Sequence, residues 1–385
     1  MRGRAAGWVL MTLTVACGGD DRPAVDGGPA ADVGPRIDTG MLDPDGGAPG
    51  ACVPAPGWTV EMSPLRGRQG IAADDTGTLH VVGPGASGLE VHRRASDGAW
   101  SGPEESGLMV SWTTIGAVVG VAVGPGGELV VESETASEVA FRDAAGTWSL
   151  DTLGAPVGVT SDGIFDADGT VHLVRREGML QHYQRAPGGA WEAEVLAGFP
   201  DVVFASVGEL DGAVSVCAVS FPDLLCASRD GAGSWSPAAT APVGLEVRGV
   251  VAAGARWVIG NLERPDMEFV STRTVVEPAA PEWRTVAMDV SPTPDASAIS
   301  YFVAEGPGGD IHLVHQVIDV EDPDAAYLRY LRIAADGSTS AENVACEAYR
   351  PDITVLPDGR PVILFDAVDE AAGTLASFLS FGPAR

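Results

Sequence analysis

A sequence pattern of a turn followed by a strand recurs seven times along this chain of 385 residues. Each time, a turn that ends in glycine leads into a strand in which apolar and polar residues alternate, as in TVHLV after Asp168-Gly169. The turns are Thr76-Gly77, Gly126-Gly127, Asp168-Gly169, Asp211-Gly212, Ala253-Gly254, Gly308-Gly309 and Asp358-Gly359. Alternation with a period of two indicates antiparallel β-strands, and no stretch carries the 3.6-residue apolar stripe of a helix.

The repeats have the length of a propeller blade, because the turns recur at intervals of about 40–55 residues and leave room for four short strands. A tryptophan opens the fourth strand in five repeats, at Trp100, Trp148, Trp191, Trp235 and Trp283. The seventh repeat has only three strands, and Trp58–Met62 supplies the missing one. We therefore predict an all-β chain, a seven-bladed β-propeller of four-stranded antiparallel blades over residues 57–385. The N-terminal strand would complete the last blade and close the ring, which removes an open sheet edge.

The N-terminus has the pattern of an export signal. Arg2 and Arg4 precede an apolar stretch, Ala5–Thr14, that is too short to span a membrane. The following Thr14-Val15-Ala16-Cys17 resembles the lipobox of bacterial lipoproteins. The resemblance implies that residues 1–16 are removed, that Cys17 is lipidated, and that the protein sorts to the outer membrane, since no aspartate directly follows the cysteine. The alternative is a soluble secreted protein with a chance cysteine at the cleavage site.

Residues 17–56 are rich in glycine, proline and aspartate and contain few large apolar side chains. Such a segment buries too little surface to offset the entropy of ordering. We expect a disordered tether between the lipid anchor and the body of the protein.

Five cysteines occur in the chain, and four remain if Cys17 is lipidated. An even number in an oxidising compartment predicts disulfides. Cys217 and Cys226 flank a turn between two strands of the fourth repeat, and antiparallel pairing places them opposite each other. Cys52 precedes the closing strand and Cys346 precedes the first strand of the seventh repeat, so these two should meet where the ring closes. A zinc site is the alternative, but the paired CxxC motifs and nearby histidines that it needs are not present.

The chain is strongly acidic, with a formal net charge of −30. Nucleic acid is therefore excluded as an expected partner, because phosphate binding needs a basic surface. The loops between second and third strands concentrate acidic residues on one face. Calcium could bind in one of these loops, although the run lacks the glycine and terminal glutamate of an EF-hand. Its residues are Asp319, Glu321, Asp322 and Asp324. Solvated charge that keeps the protein soluble is the alternative.

Two turns that precede tryptophans, Asp143–Trp148 and Asp230–Trp235, resemble the Asp-box of sialidase-like (BNR-repeat) propellers. In that family three arginines bind a carboxylate and a tyrosine is the nucleophile, so the resemblance directs attention to arginines and tyrosines near the starts of innermost strands. The candidates for ligand binding are Arg68, Arg248, Arg350, Tyr301, Tyr349 and, in the connection into the second repeat, Trp112. No acid/base aspartate and no glutamate that would activate the tyrosine can be matched by position, and no catalytic residue is assigned.

These patterns predict a monomeric, lipid-anchored propeller of the cell envelope that acts as a binding or scaffold module without enzymatic activity. Its ligand would be a carbohydrate or a small anion. One alternative is a sialidase-like or other carbohydrate-active enzyme. Another is a propeller subunit of an envelope protein complex.

Overall fold

The computed structural model describes the greater part of the chain from residue 54 onward and one short segment before it. The described ranges are 7–9, 54–67, 69–110, 119–133, 136–153, 161–202, 204–210, 212–220, 223–236, 239–242, 247–253, 256–261, 269–275, 283–290, 296–319, 326–336, 338–369 and 374–383. Every regular element in these ranges is a β-strand. Within the same ranges there is no helix that is long and apolar enough to cross a membrane.

The chain forms a β-propeller with six four-stranded antiparallel blades. Blades 1 to 5 take their strands in chain order from the axis outward. Blade 1 contains Gly70–Ala73, Leu79–Pro84, Leu89–Arg94 and Trp100–Glu105, and blade 2 contains Val119–Val123, Leu129–Ser133, Glu138–Arg142 and Trp148–Thr152. Blade 3 contains Ser161–Phe165, Val171–Glu177, Met179–Arg185 and Glu192–Val195, and blade 4 contains Phe204–Leu210, Ala213–Ser220, Asp223–Ser228 and Ala239–Pro242. Blade 5 contains Val247–Ala253, Arg256–Asn261, Phe269–Val275 and Trp283–Val290. The sixth, which we call the closing blade, contains Ala348–Val355, Pro361–Asp369, Thr374–Phe381 and, outermost, Thr59–Met62.

The prediction of seven four-stranded blades is wrong, because the sheet between blade 5 and the closing blade has five strands. Four of them follow the repeat and are Ala296–Glu305, Ile311–Asp319, Tyr327–Ile333 and Thr339–Cys346. The fifth, Gly7–Val9, pairs antiparallel with the innermost strand, Ala296–Glu305. The inner edge of a sheet presents unpaired main-chain N–H and C=O groups, to which a further strand can add. The repeat could not predict this strand, since Gly7–Val9 precedes the first repeat. The strand also lies within residues 1–16, which the lipobox resemblance implies are removed, so a protein cleaved before Cys17 would lack it.

The N-terminal strand of the propeller body completes the closing blade as predicted. Thr59–Met62 pairs with the last strand of the chain, in a register that runs from Thr59 opposite Phe381 to Met62 opposite Phe378. Near the axis, Oδ2 of Asp352 accepts a hydrogen bond of 2.7 Å from the backbone N–H of Ile71 in blade 1. The first and last blades are therefore joined at both the inner and the outer strands.

The core lies between adjacent blades, where alternate side chains of neighbouring sheets pack face to face. At the closing seam, Ile71 and Leu79 of blade 1 pack with Leu364 and Leu379 of the closing blade, and all four are buried. Each such side chain contributes about 1.5–3 kcal/mol when it leaves water. The ring is thus held mainly by apolar packing between blades. The repeat provides this packing because every second residue of a strand points toward the neighbouring blade.

Four arginines form a second repeated connection, which the sequence analysis missed. Each lies six residues before a tryptophan and beside it across the turn: Arg94 with Trp100, Arg142 with Trp148, Arg185 with Trp191, and Arg229 with Trp235. Each also pairs with an acid on the outermost strand of the preceding blade. We call these pairs the interblade clasps, and they are Arg94–Glu61 at 2.8 Å, Arg142–Glu104 at 3.0 Å, Arg185–Asp151 at 2.6 Å and Arg229–Glu194 at 3.5 Å.

The structure confirms the predicted disulfide between Cys217 and Cys226, which lie directly opposite each other on neighbouring strands. Cys346 is also disulfide-bonded. Its predicted partner, Cys52, lies outside the described residues, as does Cys17, so the second bridge remains a prediction. It is supported by a backbone hydrogen bond of 2.8 Å from Ala55 to Asn343, which brings the chain near Cys52 to the strand that ends at Cys346.

Candidate functional site on the upper face

The upper face of the propeller is formed by the connections into the innermost strands and by the hairpins between second and third strands. Arg350 lies here, near the start of the innermost strand of the closing blade. Its backbone has a φ of 50°, as does that of Glu347 three residues earlier. Residues other than glycine rarely adopt this left-handed conformation, and it occurs most often where the surrounding structure imposes it. In Arg350 the backbone N–H donates to Oε1 of Gln316, at 3.2 Å, from the neighbouring sheet.

A buried carboxylate supports the Arg350 side chain. Oδ2 of Asp366 lies 3.4 Å from Nη1 of Arg350, and its Oδ1 accepts a hydrogen bond of 2.6 Å from the Ser377 hydroxyl. Gln69 of the connection into blade 1 donates through Nε2 to the Ser377 hydroxyl and to the Gly67 carbonyl. We call Arg350, Asp366, Ser377 and Gln69 the upper-face network. It crosses the closing seam, because Gln69 belongs to the start of the ring and the other three to its end.

The two charged side chains of this network differ in their exposure to solvent. The Asp366 side chain is 4 % exposed, whereas that of Arg350 is 51 % exposed. A guanidinium carries five N–H donors, and the 3.4 Å contact with Asp366 is a long one. Donors of Arg350 therefore remain accessible to a ligand from solvent. The planar fork of arginine suits a carboxylate, which it can bind through two parallel hydrogen bonds.

The structure places part of the predicted site in this network. Tyr349 is half-buried and lies opposite Asp366 in the strand register, next to Arg350 in sequence. Arg68 and Trp112 lie outside the described residues, as do the side chains of Arg248 and Tyr301. Convergence of the three arginines therefore remains a prediction.

The predicted calcium loop is also largely outside the described residues. Asp319 ends the strand Ile311–Asp319, and Glu321, Asp322 and Asp324 fall in the gap that follows. In the part of the chain that the structure does describe, no group of three or more histidine, cysteine, aspartate or glutamate side chains is arranged to hold a metal ion.

The Asp-box-like turns have a structural role here. Oδ1 of Asp143 accepts a hydrogen bond of 2.7 Å from the backbone N–H of Thr147. Oδ1 of Asp230 accepts two, from Ala232 at 2.9 Å and from Ser234 at 2.8 Å. Aspartate satisfies turn N–H groups in this way in many unrelated folds. These residues form hairpins between third and fourth strands, on the face opposite Arg350, which we call the lower face.

A cavity of about 350 Å³ opens on the lower face between the closing blade and blade 1, and its lining includes Glu61, Arg94 and Phe381. Here Arg94 donates to both carboxylate oxygens of Glu61, and its guanidinium carbon lies 4.5 Å from the centre of the Phe381 ring. Arg94 is therefore held by Glu61 and Phe381, whereas Arg360, which also lines the cavity, is 39 % exposed.

Sequence reasoning identified Arg350 and Tyr349 but not Asp366, Ser377 or Gln69. Asp366 and Ser377 face each other across two strands, and their pairing depends on a register that the sequence does not display. A weaker signal existed, since Asp366 interrupts the apolar run PVILF of the second strand. Aspartate in such a run needs a polar partner when it is buried.

Comparison with known proteins supports the fold and nothing narrower. No protein-family model and no curated protein matches the sequence. Among solved structures, virginiamycin B lyase from Staphylococcus aureus aligns with a TM-score of 0.53 and 12 % identity, over 84 % of this chain and 98 % of that one. A catalytically inactive variant of that lyase, with quinupristin, gives 0.55 and 14 %, over 85 % and 99 %. A streptogramin B lyase gives 0.51 and 14 %, over 84 % and 97 %. At these identities the likeness shows the β-propeller fold alone.

Proposed function

We propose that this protein is a lipid-anchored binding propeller of the cell envelope, and that its upper face binds a small ligand with a carboxylate group, such as an acidic sugar, without turning it over. The observation that carries the proposal is Arg350, a half-exposed arginine supported from below by the buried carboxylate of Asp366. Arrangements of this kind hold a guanidinium in place before the ligand arrives, which reduces the entropy lost on binding.

The charge of the protein favours a small ligand over a large one if the ligand is anionic. The chain as a whole carries a formal charge of −30, so large polyanions are repelled. A small carboxylate that reaches Arg350 experiences a local positive charge. Arg68 is the second proposed donor, because its neighbours Gly67 and Gln69 are both hydrogen-bonded within the upper-face network.

The binding proposal is tested by calorimetric titration of the full chain with sialic acid and with a uronic acid. We expect weak binding that is lost in Arg350→Ala. The matched control is Arg360→Ala, because Arg360 is also well exposed and ion-paired, with Asp358 at 2.7 Å, but lies in a hairpin on the lower face. Equal loss in both variants, or no binding by the unaltered protein, would refute the proposal.

A carbohydrate-active enzyme is the second candidate, and the position of Tyr349 next to Arg350 and opposite Asp366 favours it. A nucleophile also needs a proton donor within hydrogen-bond reach of the bond that breaks. A fluorogenic glycoside assay on the same protein separates the two functions. Turnover that Tyr349→Phe abolishes would replace the binding proposal with the enzyme.

A subunit of an envelope complex is the third candidate. Four apolar side chains on outermost strands favour it, since each is at least 43 % exposed: Val60, Met62, Leu150 and Val195. Replacing Val60 and Met62 by threonine would then release a partner that co-purifies with the unaltered protein from detergent-solubilised envelopes. No such partner in chemically crosslinked envelopes would exclude this role.

The lipid anchor has its own test. We expect Cys17→Ser to move the protein from the membrane fraction to the soluble fraction while the propeller stays folded, because the tether that we propose after Cys17 would separate the two. Retention of the variant in washed membranes would show that the attachment has another origin.

A further inference from the structure

Four titratable side chains form a continuous row across blade 3. Oδ2 of Asp166 lies 3.1 Å from Nε2 of His172, whose Nδ1 lies 3.1 Å from Nε2 of His182. At the far end, Nδ1 of His182 lies 2.9 Å from Oε1 of Glu194. The row runs from the turn before the second strand to the outermost strand, so every strand of the blade except the innermost contributes one member.

The two imidazoles are shielded from water, whereas the side chains of Asp166 and Glu194 at the ends of the row are 24 % and 36 % exposed. The row faces blade 4. His182 is 0 % exposed and His172 is 2 % exposed. From blade 4, Nε1 of Trp235 donates to Oε1 of Glu194 at 2.8 Å, and Nε of Arg229 lies 3.5 Å from the same oxygen. Asp166, Glu194 and Arg229 are the charged groups around the two imidazoles.

Both terminal carboxylates are ionised at neutral pH. Burial opposes this at each site, but the hydrogen bond from His172 lowers the pKa of Asp166. The hydrogen bonds from Trp235 and His182 likewise lower the pKa of Glu194 below its ordinary value. An ionised carboxylate only accepts hydrogen bonds, so each end of the row requires an N–H from the adjacent imidazole.

Counting protons shows that two neutral histidines cannot satisfy the row. Three contacts need three N–H donors, because neither carboxylate donates and the contact between the rings also needs one proton. Two neutral imidazoles supply one N–H each. If both were neutral, one contact would bring two lone pairs together, and at least one of them would belong to a buried imidazole nitrogen, which is costly.

We propose that the His172–His182 pair is a proton-binding site, which holds one proton more than two neutral imidazoles. His172 carries it as an imidazolium and donates to Asp166 and to His182. His182 stays neutral, accepts at Nε2 and donates from Nδ1 to Glu194. Burial lowers the pKa of His182 to about 4, in agreement with a neutral ring at that position. Release of the proton at higher pH breaks one of the three contacts beside blade 4.

Nitrogen-15 NMR of the full chain tests this assignment directly, because the shifts of ring nitrogens distinguish imidazolium from either neutral tautomer. At about pH 6 we expect two N–H groups on His172 and a single N–H, on Nδ1, on His182. The N–H on Nδ1 of His182 is the diagnostic result, since a free neutral histidine favours the proton on Nε2. Two neutral rings at this pH would overturn the proposal.

A substitution in the turn tests the proton count. Asp166→Asn keeps an oxygen for the turn and offers an amide N–H to His172, so two neutral imidazoles then satisfy all three contacts. The matched control is Asp74→Asn, because Asp74 occupies the same turn of blade 1 and faces His80, at 3.4 Å, without a second histidine behind it.

In this proposal the folded protein holds the extra proton at pH values where an unfolded histidine has released it, so the melting temperature should fall as the pH rises above about 6.5. The melting temperature of Asp74→Asn should still decrease with rising pH in this way, whereas that of Asp166→Asn should decrease less. In Asp166→Asn the His172 ring should also carry a single N–H, on Nδ1. Identical pH profiles for the two variants would contradict the proposal. If Asp166→Asn fails to fold, the NMR assignment of the unaltered protein decides the question alone.

Discussion

The four arginines of the interblade clasps and Arg350 of the upper face have different surroundings, and the comparison separates residues that join blades from the residue that we propose to bind a ligand. In the interblade clasps the arginine side chains are 13–19 % exposed, and two of them also stack on aromatic rings: Arg94 on Phe381 and Arg185 on Phe141. On the upper face, Arg350 is 51 % exposed and makes one long contact with its carboxylate. A clasp arginine is largely enclosed by its neighbours, whereas about half of the Arg350 side chain is open to solvent.

The two settings also differ in origin. The clasps follow the repeat, with arginine six residues before tryptophan and an acid three or four residues after the tryptophan of the preceding blade. Arg350 stands outside that pattern, on an innermost strand with a left-handed backbone. Arg350 is therefore distinguished from the clasp arginines by its backbone conformation as well as by its exposure.

Deletion of Trp58–Met62 should have the largest effect, because it removes the outermost strand of the closing blade together with Glu61 of the first clasp. Trp58 also contacts Tyr330 edge-on, with ring centres 5.3 Å apart. Loss of the tryptophan alone is expected to cost about 3–5 kcal/mol, and the exposed edge should promote aggregation. Thermal unfolding with light scattering measures both. An unchanged melting temperature would mean that the strand does not close the ring.

The inner connection of the same seam should depend on pH. Burial raises the pKa of Asp352 to about 8, although its two backbone hydrogen bonds oppose the shift. The folded protein then binds a proton that the unfolded chain has lost above its own pKa of about 4, so stability should decrease as pH rises from about 4 to about 8. Asp352→Asn should remove this decrease in chemical unfolding curves. A variant with the slope of the unaltered protein would assign the dependence to other groups.

Arg185→Ala should lower the free energy of unfolding by about 1–2 kcal/mol, since it removes both the ion pair with Asp151 and the stacking on Phe141. A double-mutant cycle with Asp151→Ala isolates the ion pair. Coupling that does not weaken in high salt would contradict an electrostatic clasp.

The smallest effect on stability is expected for Arg350→Ala. The Arg350 side chain is half exposed and makes only a long contact of 3.4 Å with Asp366. Its removal should therefore change the free energy of unfolding by no more than about 0.5 kcal/mol. The same variant should lose ligand binding, which is the reverse of the pattern expected for Arg185→Ala. A destabilisation of Arg350→Ala equal to that of Arg185→Ala would remove the distinction between the two settings.

Much of the architecture was predictable because it follows from local chemistry. Alternation along five or six residues determines a strand, and turn residues such as Gly169 and Asp168 determine where it reverses. The same regularity indicated that Thr59–Met62 completes the last blade and that Cys217 faces Cys226. The number of strands in each sheet was less accessible, because Gly7–Val9 adds to an inner edge through main-chain groups that any sequence possesses.

What the sequence alone determined is therefore the all-β repeat, its outer closure and one disulfide, all of which depend on neighbours within a blade or on the period itself. Contacts between distant parts of the chain set which arginines are enclosed and which is exposed. They also place Asp366 beside Arg350 and bring Asp352 to Ile71, 281 residues away in sequence. The row from Asp166 to Glu194 also appears only when three strands are in register. These contacts join side chains whose separation in sequence carries no signal, because closure of the ring and strand register set their distances.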